Sequence, residues 1–188
     1  KRADLRFPFP KRFAARLSGR RVETLAPDVV CSILTVDESR RLRHLAGPSL
    51  PDHYCKAIDG VEIGPTVGSC GTAAYSGAPV EVVDIATDPL WKDFSALALP
   101  LGLRACWSSP IFAHDRRVVG TFAFYFRTPR GASAFERDVV ATSVHLCAIA
   151  IEQWQAHQTI SQLAFQDPLT HLGNRAMLKD RLAGILGA

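Results

Sequence analysis

The apolar positions of this chain change period several times, and each change predicts an element. Val29-Val30-Cys31-Ser32-Ile33-Leu34-Thr35-Val36 is β-branched and bounded by Pro27-Asp28 and Asp37-Glu38, which predicts a strand. Leu42-Arg43-His44-Leu45-Ala46, closed by Gly47-Pro48, reads as its hairpin partner. A short helix is expected over 51–58. Gly64, Gly68 and Gly71 predict a loop, with a helical turn over 72–76. Residues 80–85 alternate like a strand. Thr87 or Asp88 then caps a helix with Pro89 at its first position, and Gly102 ends that region. Residues 105–112 and 118–126 are the two strongest strand candidates, joined by the turn His114-Asp115-Arg116-Arg117. Ser133, with Glu136 three residues on, forms a capping box that opens a helix over 134–166.

This order of strands and helices predicts an α+β fold, an antiparallel sheet with helices packed on it. The long helix carries a second message. Its first half, residues 139–151, is apolar on nearly every side, so one face is expected against the sheet and another against a partner. Val139, Leu146, Ile149, Ala156, Ile160 and Leu163 keep the 3–4 spacing of a coiled-coil seam, interrupted at Thr142 and Gln153.

Composition narrows the class. A chain of 188 residues suits one domain with flanking segments. The net charge of +4 is mild, and much of it lies in the first 43 residues. Those arginines are not interleaved with a run of exposed aromatics and precede no nucleic-acid motif, so they read as a solvated connecting segment. No apolar run reaches the roughly 18–20 residues of a membrane span. No nucleic-acid or membrane partner is expected. The start lacks Met and a signal-like apolar region, which suggests a piece of a longer protein. The cysteines (Cys31, Cys55, Cys70, Cys106, Cys147) stand singly with no C-x-x-C, which fits a reducing, cytoplasmic setting better than a disulfide framework. The histidines show no metal-ligand spacing.

Two resemblances follow from motifs. Gly68-Ser69-Cys70-Gly71-Thr72-Ala73, Val83-Asp84-Ile85, residues 104–111 (RACWSSPI), residues 118–125 (VVGTFAFY) and the helix over 145–152 together resemble a GAF domain, a ligand-sensing module of bacterial signalling proteins. That resemblance implies an antiparallel sheet of about six strands. It also implies helices forming a dimer face on one side, and on the other a pocket roofed by residues 69–72 and 84–102. Asp167-Pro168-Leu169-Thr170-His171-Leu172-Gly173-Asn174-Arg175 resembles the opening motif of a GGDEF diguanylate cyclase domain, with His171 and Gly173 where that family commonly has Gly and Pro. The chain ends before any Gly-Gly-Asp-Glu-Phe. The implied organisation is a linker helix over 1–27, a GAF sensory domain over 28–155, a signalling linker over 156–166 and the start of a GGDEF domain over 167–188. The implied assembly is a homodimer through the N- and C-terminal helices, controlling a cyclase that makes cyclic di-GMP.

The candidate ligand-binding residues are Ser69, Cys70, Thr72, Asp84, Trp91, Phe94, Trp107 and Tyr125. Glycines around Ser69 and Cys70 allow close backbone approach to an anion or polar molecule, although the same segment also reads as a turn that packs the next helix. Trp91, Phe94, Trp107 and Tyr125 suit an aromatic pocket lining and equally suit plain core packing. Asp84 could contact a ligand or close a turn. On a strand, Cys106 and Ser108 face away from Trp107 and Ser109, and the alternation alone leaves open which pair faces a pocket. The identity of any cofactor is left open by the sequence. The expected function is therefore sensing of a small ligand or of redox state, with no catalysis by this segment. A ligand-free dimerisation module is the first alternative. A GAF-type methionine sulfoxide reductase acting through Cys70 is the second, weakened by the absence of any cysteine between 70 and 106 to serve as a resolving partner.

Overall fold

Strands 105–112 and 118–126 are buried along almost their whole length on both faces, and the rest of the fold follows from covering them. The computed structural model describes residues 23–24 and 28–165. The linker proposed over 1–27, except Glu23 and Thr24, and the motif at 167–175 lie outside the described residues. The chain divides into two units, Lys1–Ala150 and Ile151–Ala188. Of the second, the structure describes the continuation of one helix.

The strands are β1 (Val29–Val36), β2 (Leu42–Ala46), β3 (Val80–Val82), β4 (Ala105–Phe112) and β5 (Val118–Phe126). They form one antiparallel sheet in the order β2-β1-β5-β4-β3. The helices are α1 (Asp52–Ile58), α2 (Gly68–Ser76), α3 (Ser95–Ala98) and α4 (Ala134–Phe165). The expected α+β architecture is present with five strands among the described residues rather than about six. A sixth edge is reduced to the bridge between Arg41 and Glu62, because Gly64-Pro65 turns the chain away directly afterwards. Strand β3 is shorter than the predicted 80–85, since the Asp84 carboxylate accepts from Ala86 N at 3.0 Å and starts a turn.

Pleating gives the sheet two faces. Register places Tyr125 opposite Cys106 and Val30, and Ala123 opposite Ser108 and Ser32, all on one face. Phe124 lies opposite Trp107 and Cys31, and Phe122 opposite Ser109 and Ile33, on the other. The sheet is packed so closely that a side chain on Gly120 of β5 would collide with the Leu34 carbonyl of β1.

Helix α4 meets the second face. The Arg137 guanidinium lies 5.1 Å from the Trp107 ring centroid and pairs with both oxygens of Glu81 at 2.9 and 3.0 Å. The capping box forms as its residues predict: Ser133 N donates to Glu136 Oε2 at 2.7 Å and Glu136 N to Ser133 Oγ at 3.3 Å. Arg130 adds a two-pronged ion pair to Glu136 at 2.6 and 2.8 Å while stacking on Phe126 at 3.9 Å. No helix among the described residues is long and apolar enough to cross a membrane.

The Arg130 bonds hold the Glu136 carboxyl at about 2, below its ordinary 4.5. A depressed carboxyl contributes stability that is complete above its unfolded value and is lost as pH falls through its folded one. Glu136→Gln is therefore expected to lower the unfolding free energy by about 2 kcal/mol at neutral pH. The difference from wild type should close between pH 4.5 and 2, as urea titrations across that range would show.

Candidate functional site

Helix α2 lies over the first sheet face and begins at Gly68, which adopts a left-handed φ of +53°. The segment 68–71, expected as a loop, is the first turn of this helix, with Gly71 N bonded to Val67 O at 3.0 Å. A Cβ on Gly71 would stand 2.6 Å from the Val67 side chain, so glycine here serves the tight entry of the chain into α2.

Between α2, α1, the sheet and the segment 91–97 lies a cavity of about 30 Å³. Its walls include Leu34, Leu42, Ile58, Val61 and Leu97, and its polar groups come from Tyr54, Ser69, Cys70 and Tyr125, with Trp91 and Phe94 alongside. The Tyr125 hydroxyl accepts from the Tyr54 hydroxyl at 3.4 Å and lies 3.4 Å from Ser32 Oγ and 3.9 Å from Cys70 Sγ. Tyr54 and Trp91 both pack edge-on to the Tyr125 ring, with centroids 6.2 and 6.3 Å away. Trp91 Nε1 donates to Ser69 Oγ at 3.0 Å, which satisfies a buried indole and ties the 3-10 turn Pro89–Trp91 to α2.

The thiols differ in environment. The neighbouring Cys106 thiol is the largest influence lowering the Cys70 thiol to about 7, against burial and with help from Ser108, Tyr125 and Thr121. Cys106 moves the other way, raised by burial and by its neighbour Cys70. On the opposite face Cys147 is pushed up to about 12 by burial, and burial likewise raises Cys31. All five cysteines are free. Among the described residues no group of three or more His, Cys, Asp or Glu is placed to hold a metal ion.

Of the eight residues singled out from sequence, Ser69, Cys70, Trp91, Phe94 and Tyr125 line the cavity. Three do not. Thr72 Oγ1 instead holds the lead-in loop, accepting from Val67 N at 3.1 Å and donating to Pro65 O at 3.5 Å. Asp84 closes its own turn. Trp107 faces the opposite side of the sheet, under Arg137 of α4, because Cys106 and Ser108 take the cavity side. Sequence reasoning missed Tyr54. Its signal was present in the apolar positions Tyr54, Cys55 and Ile58 on one side of α1, all buried. Cys106 was left undecided by strand alternation, and only the pairing register settles its face.

A family profile for the GAF domain matches residues 15–152, and the chain belongs to the GAF domain family. A curated relative, the methyl sulfide methyltransferase-associated sensor of Methanosarcina acetivorans, is 36% identical over 141 residues, or 74% of this chain. The chain spans only 14% of the length of that relative. Among solved structures, a domain of a sensor histidine kinase protein from Sinorhizobium meliloti superposes with a TM-score of 0.63 at 20% identity, covering 82% of this chain and 98% of that one. The type II free methionine-R-sulfoxide reductase of Thermoplasma acidophilum superposes with a TM-score of 0.60 at 14% identity, covering 76% and 94%. At such identities the likeness is one of fold.

Trp91→Phe removes the only donor shown for Ser69 Oγ among the described residues and trims a cavity wall. It is expected to cost about 2 kcal/mol in a denaturant titration.

Proposed function

We propose that this GAF domain is a sensory module in which a small molecule taken up beneath α2 shifts the β4–β5 layer and, through it, the pairing of α4 with a second copy. One observation carries this reading: the cavity and the long helix lie on opposite faces of the same two strands. Cys106 and Tyr125 sit on the cavity side, while the intervening Trp107 sits beneath Arg137 of α4. A change in the cavity thus has a short mechanical route to the helix. The ligand must favour one of two helix arrangements to have any effect.

The outer face of α4 supports a second copy of this chain as the partner. Phe135, Leu146 and Ile149 are 58%, 59% and 42% exposed, unusual for large apolar side chains. With Val139 and Thr142 they follow a 4-3-4-3 spacing, and the sequence continues it through Ala156, Ile160 and Leu163. The motif Asp167-Pro168-Leu169-Thr170 to Arg175 supports a GGDEF diguanylate cyclase as the output, so that chemistry belongs to that domain and not to this one. Two cyclase domains must face each other, each with one GTP, to make cyclic di-GMP, and helix pairing can gate that encounter. A relative named as a sensor, and five free thiols suited to a reducing cytoplasm, agree with this reading.

A second reading draws on cavity size. About 30 Å³ holds roughly two water molecules and falls far short of a drug-sized ligand site. The aromatic side chains nearly fill the space themselves, as they would in a module whose only task is pairing and spacing. The same figure speaks against free methionine sulfoxide as a substrate of the cavity as it stands.

Sedimentation and a thermal-shift screen test these readings together. Wild type is expected to be dimeric at micromolar concentration. Leu146→Glu and Ile149→Glu are expected to give monomers with unchanged circular dichroism, since both side chains are exposed. Small polar molecules that raise the melting temperature by mass action support sensing. A monomeric wild type overturns the helix-pairing mechanism, and a screen with no stabilising molecule overturns ligand sensing in favour of the spacing module.

A further inference from the structure

The cavity floor carries chemistry that binding alone does not use. Cys70 lines the cavity, and Cys106 lies just below it, fully buried. Both belong to one buried cluster where α2 packs on β4, and each thiol shifts the ionisation of the other. Register sets them on the same side of the sheet: Cys106 is the direct cross-strand neighbour of Tyr125, whose hydroxyl lies 3.9 Å from Cys70 Sγ. Two further hydroxyls on the same face of the sheet, Ser108 Oγ and Thr121 Oγ1, are wholly buried without a close partner, and both favour the Cys70 thiolate. A buried hydroxyl with no partner carries a desolvation cost. Placed around a thiol, it stabilises the thiolate. No other cysteine in the domain has such surroundings.

We propose that Cys70 and Cys106 form a peroxide-oxidisable dithiol at the floor of the cavity, Cys70 meeting the oxidant and Cys106 resolving it as a disulfide. The proposal depends on reading the cavity as the input site, and not on the dimer or the cyclase. In the first step the Cys70 thiolate attacks one oxygen of hydrogen peroxide. The S–O bond forms, the O–O bond breaks, and the departing hydroxide takes a proton to leave as water. Cys70 is then a sulfenic acid, its sulfur oxidised by two electrons. In the second step the Cys106 sulfur attacks the Cys70 sulfur, the S–O bond breaks, and the Cys106 proton leaves with the hydroxyl as a second water. A cellular dithiol restores both thiols by exchange.

The small volume now becomes a selectivity device. Hydrogen peroxide is little larger than water and fits, whereas an aryl-alkyl peroxide does not. The thiol already held near 7 is the one that lines the cavity, so the nucleophile is on the exposed side of the pair. Bond formation must bring the two sulfurs to about 2 Å. That draws α2 toward β4, the strand whose other face carries Trp107 beneath Arg137.

Peptide mapping of the full chain after peroxide treatment and acid quench tests the proposal. The expected product is a disulfide joining Cys70 to Cys106, reversed by dithiothreitol. Hydrogen peroxide is expected to act at least about tenfold faster than cumene hydroperoxide on the folded protein, and not on the urea-unfolded one. Cys106→Ser should instead leave a Cys70 sulfenic acid that dimedone traps. Wild-type mapping decides the matter even where that variant fails to fold. Oxidation appearing first at Cys31, Cys55 or Cys147, or both cavity thiols remaining reduced, overturns the proposal. A dimer that responds to a small ligand yet yields no such disulfide removes the dithiol while leaving the sensory reading intact.

Discussion

The structure depends on one constraint: β4 and β5 are buried on both faces and must be covered twice. On one side α2 and α1 close over Tyr125, Cys106 and Ala123. On the other, Phe122, Phe124 and Trp107 require α4. A sheet covered on a single side would leave a row of aromatics in water, at about 25 cal/mol for each Å². Double coverage also makes the sheet a mechanical link. Adjacent residues of one strand touch different layers, so a shift in one layer is felt in the other through tightly packed side chains.

The cavity shows how close packing and function compete. Tyr54, Trp91 and Phe94 line a cavity of only about 30 Å³, yet part of its floor is polar. Ser32, Ser108 and Thr121 are fully buried on the cavity face of the sheet. Apolar residues of similar size would pack there without leaving Ser108 Oγ and Thr121 Oγ1 short of partners. Ser108 and Thr121 instead favour the thiolate of one cysteine, Cys70. The other four thiols are raised by burial, and that one is lowered. The chemistry of the site is set by neighbours that differ between the two faces of one sheet.

Helix α4 unites the two halves of the molecule's logic. Its start is fixed by short-range charge: Ser133, Glu136 and Arg130 satisfy one another and anchor the helix against Phe126. Arg137, one residue on, ties the same turn to Glu81 of β3 and to Trp107. Beyond that anchor the outward stripe of Leu146 and Ile149 stays exposed among the described residues. A helix so firmly held at one end and so apolar on its outer face is suited to carry a displacement outward to a partner.

Local chemistry was enough to read β1, β2, β4, β5, the short helix α1 and the capped start of α4 from residue order, because period-2 apolar runs and capping boxes act within a few residues. The GAF family was readable for the same reason: its signature segments keep their order even where each is weak alone. The alternation along β4 also showed that Cys106 and Trp107 must part company. What residue order left open was which of them faced the cavity, because strand alternation is symmetric until a partner strand and its covering helices break the tie. The 68–71 segment misled, since glycines signal loops locally while Gly71 was needed for a tight helix entry against Val67. The meeting of Cys70 with Cys106, 36 positions apart, belongs wholly to the tertiary structure, because only the docking of α2 on β4 brings two singly spaced thiols into one buried cluster.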